Sequence, residues 1–159
     1  MNKLQLRHYG ASPVTLDRTR RYKNWRHDKP AGLWVSVLGG SPDWAQYCRH
    51  EEFDVEHLTV EHEVVLAPDA KILHLTTAEA VAKLQLDYPL SDDDILLDYG
   101  VDWDRVCRDY QGIIITPYQW SCRFSVHWYY GWDCASGCIW DMSAIQSLTP
   151  VLQRREVAA

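Results

Sequence analysis

The chain predicts an α+β fold built as one domain, and three observations carry that reading. Short β-rich runs outnumber helical ones, and they do not alternate with helices in the regular order of a parallel sheet. Apolar residues make up 47% of the 159 positions, enough for one sizeable core. That content excludes a disordered chain, and no run approaches the roughly twenty apolar residues that span a bilayer. The domain is expected over residues 1–150, with 151–159 as a C-terminal tail. The opening "MNKLQLRHYG" lacks the apolar stretch of a signal peptide, so the cytoplasm is expected, or a host cytoplasm for a viral protein.

The elements follow from local pattern. "KLQLRHY" alternates and stops at Gly10, which reads as a first strand. Residues 11–30 are polar, basic and bounded by prolines, which predicts a long loop. "GLWVSVL", 32–38, is a second strand, broken by Gly39 and Gly40. Ser41 is placed to cap the next helix, with Pro42 in its first turn and its end at about Phe53. Residues 57–67 and 70–75 predict two strands with Pro68 and Asp69 turning between them. Thr76 or Thr77 caps a helix through "AEAVAKLQLDY", interrupted by Pro89 and the run Asp92, Asp93, Asp94. A short helix over 102–110 carries Asp in its first turn, where the dipole favours it. "GIIIT" is a buried β-branched strand. The aromatic stretch 117–132 reads as helix, and Gly137 to Trp140 as the last strand, leaving through Asp141 and Ser143.

Charge is segregated. The net charge is −6, yet residues 1–30 hold Lys3, Arg7, Arg18, Arg20, Arg21, Lys23, Arg26 and Lys29 against Asp17 and Asp28. Residues 87–109 are the reverse. A solvated face and a phosphate-binding patch both produce such a pattern, while overall acidity argues against a dedicated nucleic-acid binder. The five cysteines are an odd set, expected as reduced, buried thiols. Cys134 and Cys138 are four apart, and Cys48 with His50 lacks a second pair, so no metal site is expected. "VLGGSP" lacks the Lys-Ser/Thr that completes a phosphate-binding loop.

Three stretches carry a likeness: "LRHYG", "KPAGLWVSVLGGSPDWAQYC", and "YQGIII" followed by "SGCIWDMSAIQSL". In this order they resemble the ADP-ribosyltransferase fold, in its diphtheria-toxin-like and poly(ADP-ribose)-polymerase-like branch. The likeness implies a split β-sheet core with short flanking helices and NAD as substrate. It implies that His8 hydrogen-bonds a ribose hydroxyl and that backbone at Tyr9 or Gly10 holds the carboxamide. Trp34 and Tyr47 sandwich the nicotinamide, and Ser36 orients the site. The family's late strand begins with a catalytic Glu; here that position is Ser136. The carboxylate is then expected from Asp133, three residues earlier, or from Glu51 on the helix after Tyr47. The departure implies transfer of single units rather than chain formation, to a macromolecular target, a protein more than a nucleic acid. "WYYGWDCASGCIWD" is also similar in style to small phage proteins, which implies no function.

Read without the likeness, the same residues have plainer uses. His8 is equally a satisfied strand histidine, Trp34 core, Trp44 and Tyr47 a helix packing face, and Asp133 a turn cap. Two other functions share the fold. One is a non-catalytic interaction module, such as a viral protein that binds a host factor, which the missing Glu favours. The other is an RNA 2′-phosphotransferase, whose basic site is loosely met by Arg7 and Arg18 to Arg21.

Overall fold

The structure is a computed structural model and describes residues 4–24, 29–90 and 100–152. Its strands are β1 (Leu6–Gly10), β2 (Leu33–Val37), β3 (Val60–Leu66), β4 (Ile72–Leu75), β5 (Gly112–Ile115), β6 (Ser136–Ile139) and β7 (Ile145–Pro150). Its helices are α1 (Trp44–Glu51), α2 (Ala78–Asp87) and α3 (Trp103–Asp109). The strands form one sheet in the order β4-β5-β6-β2-β1-β3-β7. Every pairing is antiparallel except that of β4 with β5, whose crossover carries α2 and α3. The architecture is α+β. Among the described residues no helix is long and apolar enough to cross a membrane.

The core sits on the β2-β6-β5 part of the sheet. Every residue of β5 and β6 is buried, as expected of "GIIIT", because strands covered on both faces are apolar throughout. α2 contributes Val81 and Leu84, and α3 contributes Trp103 and Val106. Thr77 caps α2 by accepting the Ala80 N–H, and Asp102 caps α3 by accepting the Arg105 N–H.

Several expectations need correction. α1 is capped by Asp43, not Ser41. The Asp43 carboxylate accepts the Gln46 N–H at 2.9 Å, and the Gln46 side chain accepts the Asp43 N–H at 3.0 Å. The Ser41–Pro42 peptide is cis, Pro42 lies outside the helix, and the helix closes at Glu51 with Glu52 in the left-handed region. Residues 57–58 belong to a 3₁₀ turn, Val55–Leu58, rather than to the strand that follows.

The aromatic stretch 117–132 is not an α-helix. It makes two 3₁₀ turns, Trp120–Cys122 and His127–Tyr129. Its buried residues Tyr118, Cys122, Tyr129 and Trp132 sit at near-helical spacing, which explains the misreading. Side-chain bonding wins instead: Tyr118 Oη donates to the Trp132 carbonyl at 2.6 Å, and the Gln119 N–H donates to Tyr129 Oη at 3.1 Å. Ser, Val and aromatic residues are poor helix formers, so little opposes this. Finally, β6 is not the last strand. After Asp141–Ala144 the chain forms β7, which pairs with β3 at the far edge of the sheet. The aspartates 92–94 and the tail 153–159 lie outside the described residues.

Candidate functional site

The sheet is nearly divided. β1 pairs with β3 over five positions and β2 with β6 over four, but β1 and β2 share only Leu6↔Val37 and Arg7↔Ser36. Beyond Arg7 the two strands part. A cleft of about 520 Å³ opens at this fork, and its lining includes His8, Tyr9, Trp34, Ser36, Asp133 and Ser136. By register Arg7, Ser36, Trp34 and Ser136 share one face of the sheet.

His8 belongs by alternation to the other face and reaches the cleft because the strands have separated. Its Nδ1–H donates to the Trp34 carbonyl at 2.8 Å, a group left without a ladder partner by the parting. Nε2 therefore carries the lone pair of the neutral ring. Burial lowers the His8 pKa; the Trp34 carbonyl opposes this and neighbouring His62 adds to it. His62 is fully buried with its ring 5.9 Å from that of His8. Its Nε2 accepts the Val14 N–H at 3.0 Å, and its Nδ1 has no partner among the described residues.

The aromatic wall differs from the expected sandwich. The Trp34 ring lies against Trp132 at 4.9 Å, and the Lys29 ammonium sits 5.3 Å from its centroid. Trp44 lines the cleft in place of Tyr47, which stacks on it from outside at 5.7 Å. Ser36 is committed to structure: its Oγ accepts the Trp44 N–H at 2.8 Å and clips α1 to β2. Ser136 Oγ donates to the Cys134 carbonyl at 3.1 Å.

Asp133 is one of two carboxylates lining the cleft, with Asp54, and the Arg123 guanidinium faces it at 3.7 Å. Two tyrosines feel it. Burial raises the Tyr47 pKa, with Asp133 adding to the shift, and burial pushes Tyr118 up to about 12. Tyr9 is likewise pushed up to about 12, by burial and then by Glu61. Burial pushes the Cys134 thiol up to about 12, which removes it as a nucleophile at neutral pH. All five cysteines are free.

The structure thus brings His8, Tyr9, Trp34, Ser36 and Asp133 to one cleft. It leaves Glu51 outside, exposed and bonded to His50 at 2.8 Å. Gly10 ends β1 and does not line the cleft. Lys29, Trp44, Asp54 and Trp132, which line the cleft, and Arg123, which faces Asp133, were missed as site residues. Trp132 stands next to Asp133, a recognised residue, so adjacency was its signal; Trp44 had only its place in the motif that holds Tyr47. Arg123 had none. Among the described residues, Asp54, Glu56 and His57 bring three ligand atoms within 4.8 Å of one another. They lie on the Val55–Leu58 turn and its cap, and His57 Nδ1 is hydrogen-bonded to Asp54.

Comparison of the chain with protein-family models, with curated proteins and with solved structures finds no match.

Proposed function

We propose that the cleft binds NAD and that the protein transfers a single ADP-ribose unit from it to a macromolecular target, on a split-sheet core of the ADP-ribosyltransferase-like kind. One observation carries the reading. The three sequence-distant motifs fold into the neighbouring strands β1, β2 and β6, and His8, Trp34 and Ser136 line one cleft. The proposal places the protein in the cytoplasm, or in a host cytoplasm if the chain is viral, and favours a protein target.

In this reaction the bond between the nicotinamide nitrogen and the ribose breaks, and its electron pair leaves with nicotinamide. Positive charge develops on the sugar until the target nucleophile, losing its proton, forms the new bond. His8 offers Nε2 as acceptor to a ribose hydroxyl, and its lowered pKa keeps the ring neutral for that task. Trp34 and Trp44 give planar rings a surface to stack on, and buried Trp132 backs Trp34. Asp133 supplies negative charge to the developing cation, and Arg123 holds the carboxylate in position.

The test is nicotinamide release by wild type and Asp133→Asn. The variant is expected to keep NAD binding and its melting temperature while losing at least about a hundredfold in rate. Full activity in a folded variant removes Asp133 from the role. Tryptophan fluorescence reports binding, and Trp34→Ala is expected to lose most of it. A second reading is a non-catalytic module. It is favoured by Ser136, which stands where the family has Glu and whose hydroxyl is held by the Cys134 carbonyl. NAD binding without any nicotinamide release from wild type selects that reading.

A further inference from the structure

We propose that the N-terminal strap, residues 16–24, is a docking strip for the phosphate backbone of a nucleic-acid strand. The inference stands apart from the NAD reading.

The strap is pinned at both ends. Leu16 and Tyr22 pack against the core. Arg18 donates to the Met142 and Gln146 carbonyls at 3.4 and 3.2 Å. At the far end Asn24 donates to Asp104 at 3.0 Å and accepts the Ala31 N–H at 2.9 Å. The segment is therefore held in place before any partner arrives, which lowers the entropy lost on binding.

Along the strap Arg18, Arg20, Arg21 and Lys23 are exposed; Arg18 is itself one of the pins, and Arg21 donates to the Arg18 and Arg20 carbonyls. None forms an ion pair with a carboxylate among the described residues. The nearby carboxylates direct their hydrogen bonds elsewhere: Asp17 accepts from Thr19, Asp104 from Asn24, and Asp141 from Ser143 and Gln111. Asp17 acts on Arg20 and Asp141 on Arg21 without closing to an ion pair, so the four exposed cations outnumber the carboxylates beside them and keep charge for an anionic partner. The net charge of −6 does not cancel the patch, because salt screens charges beyond about 8–10 Å.

Two features favour nucleic acid over an acidic protein. Three of the four cations are Arg, whose planar fork matches phosphate oxygens in pairs. The Arg20 guanidinium lies 5.0 Å over the Tyr22 ring, so a flat cation and an aromatic face stand together, as in sequence-tolerant strand binding.

The experiment is fluorescence anisotropy of labelled oligonucleotides of mixed sequence against the full chain, at low and physiological salt. Separate arms use single-stranded DNA, single-stranded RNA and duplex DNA. The variant is Arg20→Gln/Lys23→Gln, whose native side chains make no hydrogen bond to the fold, with thermal melting as control. Binding in at least one arm is expected. The variant should weaken it about tenfold and make the salt dependence shallower by about one to two released counterions. Three outcomes overturn the proposal: no binding at low salt in any arm, unchanged affinity and salt dependence in the folded variant, or tighter binding of poly-glutamate than of every oligonucleotide.

Discussion

On one side of the fork, β2, β6 and β5 form a dry, tightly packed half-sheet with β4 as its more exposed edge; on the other, β1, β3 and β7 form a half-sheet that is wet on its outer face. In the dry half, glycine sets the strand spacing. A Cβ on Gly137 would lie 2.5 Å from the Ile113 carbonyl oxygen, and one on Gly112 would lie 2.6 Å from Ile139 Cδ1. In the wet half, Leu6, His62 and Val64 face inward, while Arg7 pairs with Glu61 at 2.7 Å on the outer face. The difference teaches where rigidity and chemistry come from. The dry half supplies fixed aromatic and backbone walls to the cleft, and the wet half brings His8, Arg7 and Tyr9 to it.

The largest break in that comparison should come from a methyl group. Gly137→Ala is expected to cost about 3 kcal/mol through overpacking against backbone, lowering the melting temperature by roughly 10 °C. The same change at Gly10, where the nearest atom to a new Cβ is the Ser12 carbonyl oxygen at 3.4 Å, should move melting by less than about 2 °C. Equal losses by differential scanning calorimetry would remove the distinction between the halves.

A medium effect is expected at the fork. His8→Ala leaves the Trp34 carbonyl without its donor and should cost about 1–2 kcal/mol in urea unfolding. His8→Gln, which can donate to the same oxygen, should recover part of it. No loss with Ala would mean that water replaces the imidazole.

Acid should act on both halves through two partly desolvated histidines, half-buried His8 and the more exposed His74. Burial lowers the pKa of His8 and of His74 below 6.5. Between each lowered value and 6.5 the unfolded chain binds the proton and the folded one does not, so stability rises with pH there. Melting temperature should be flat above the unfolded value and fall as pH drops through 6.5, levelling off below the folded value. His8→Gln should flatten part of that fall. A melting temperature that instead rises on acidification would refute the burial argument.

The smallest effect belongs to the outer face. Arg7 and Glu63 are 3.6 Å apart, and the Glu63 side chain is half exposed. Glu63→Gln should change stability by less than about 0.5 kcal/mol, and added salt should shrink even that.

The dry half was legible because its rules are local. "GIIIT" is β-branched and apolar, and such a run has few uses other than a covered strand. Thr77 stands one residue before α2, where a cap belongs. The start of α1 was readable too, since Asp43 and Gln46 have capping-box spacing, but the proline ahead of them drew the boundary to Ser41. The aromatic stretch 117–132 was not legible, because its conformation depends on where the Tyr118 and Tyr129 hydroxyls find partners, and those are set by the tertiary fold. For the site, His8 and Trp34 do line one cleft, a juxtaposition the order of the motifs suggested, although His8 reaches it only because β1 and β2 part. Tyr47 was not, since one helical turn decides whether it or Trp44 faces inward. Arg123 reaches Asp133 from a loop, and neither pattern nor periodicity marks such a pair.

The bond from His8 to the Trp34 carbonyl has a consequence for adaptability. At the open end of the fork a side chain, rather than a backbone ladder, spans the gap between β1 and β2. A ladder has one spacing, but a side chain is a spacer whose length is set by a single codon. Substitution at residue 8 therefore changes the aperture of the cleft and the pairing of the Trp34 carbonyl together, so the width of the opening and the stability of the fold are tied to the same codon.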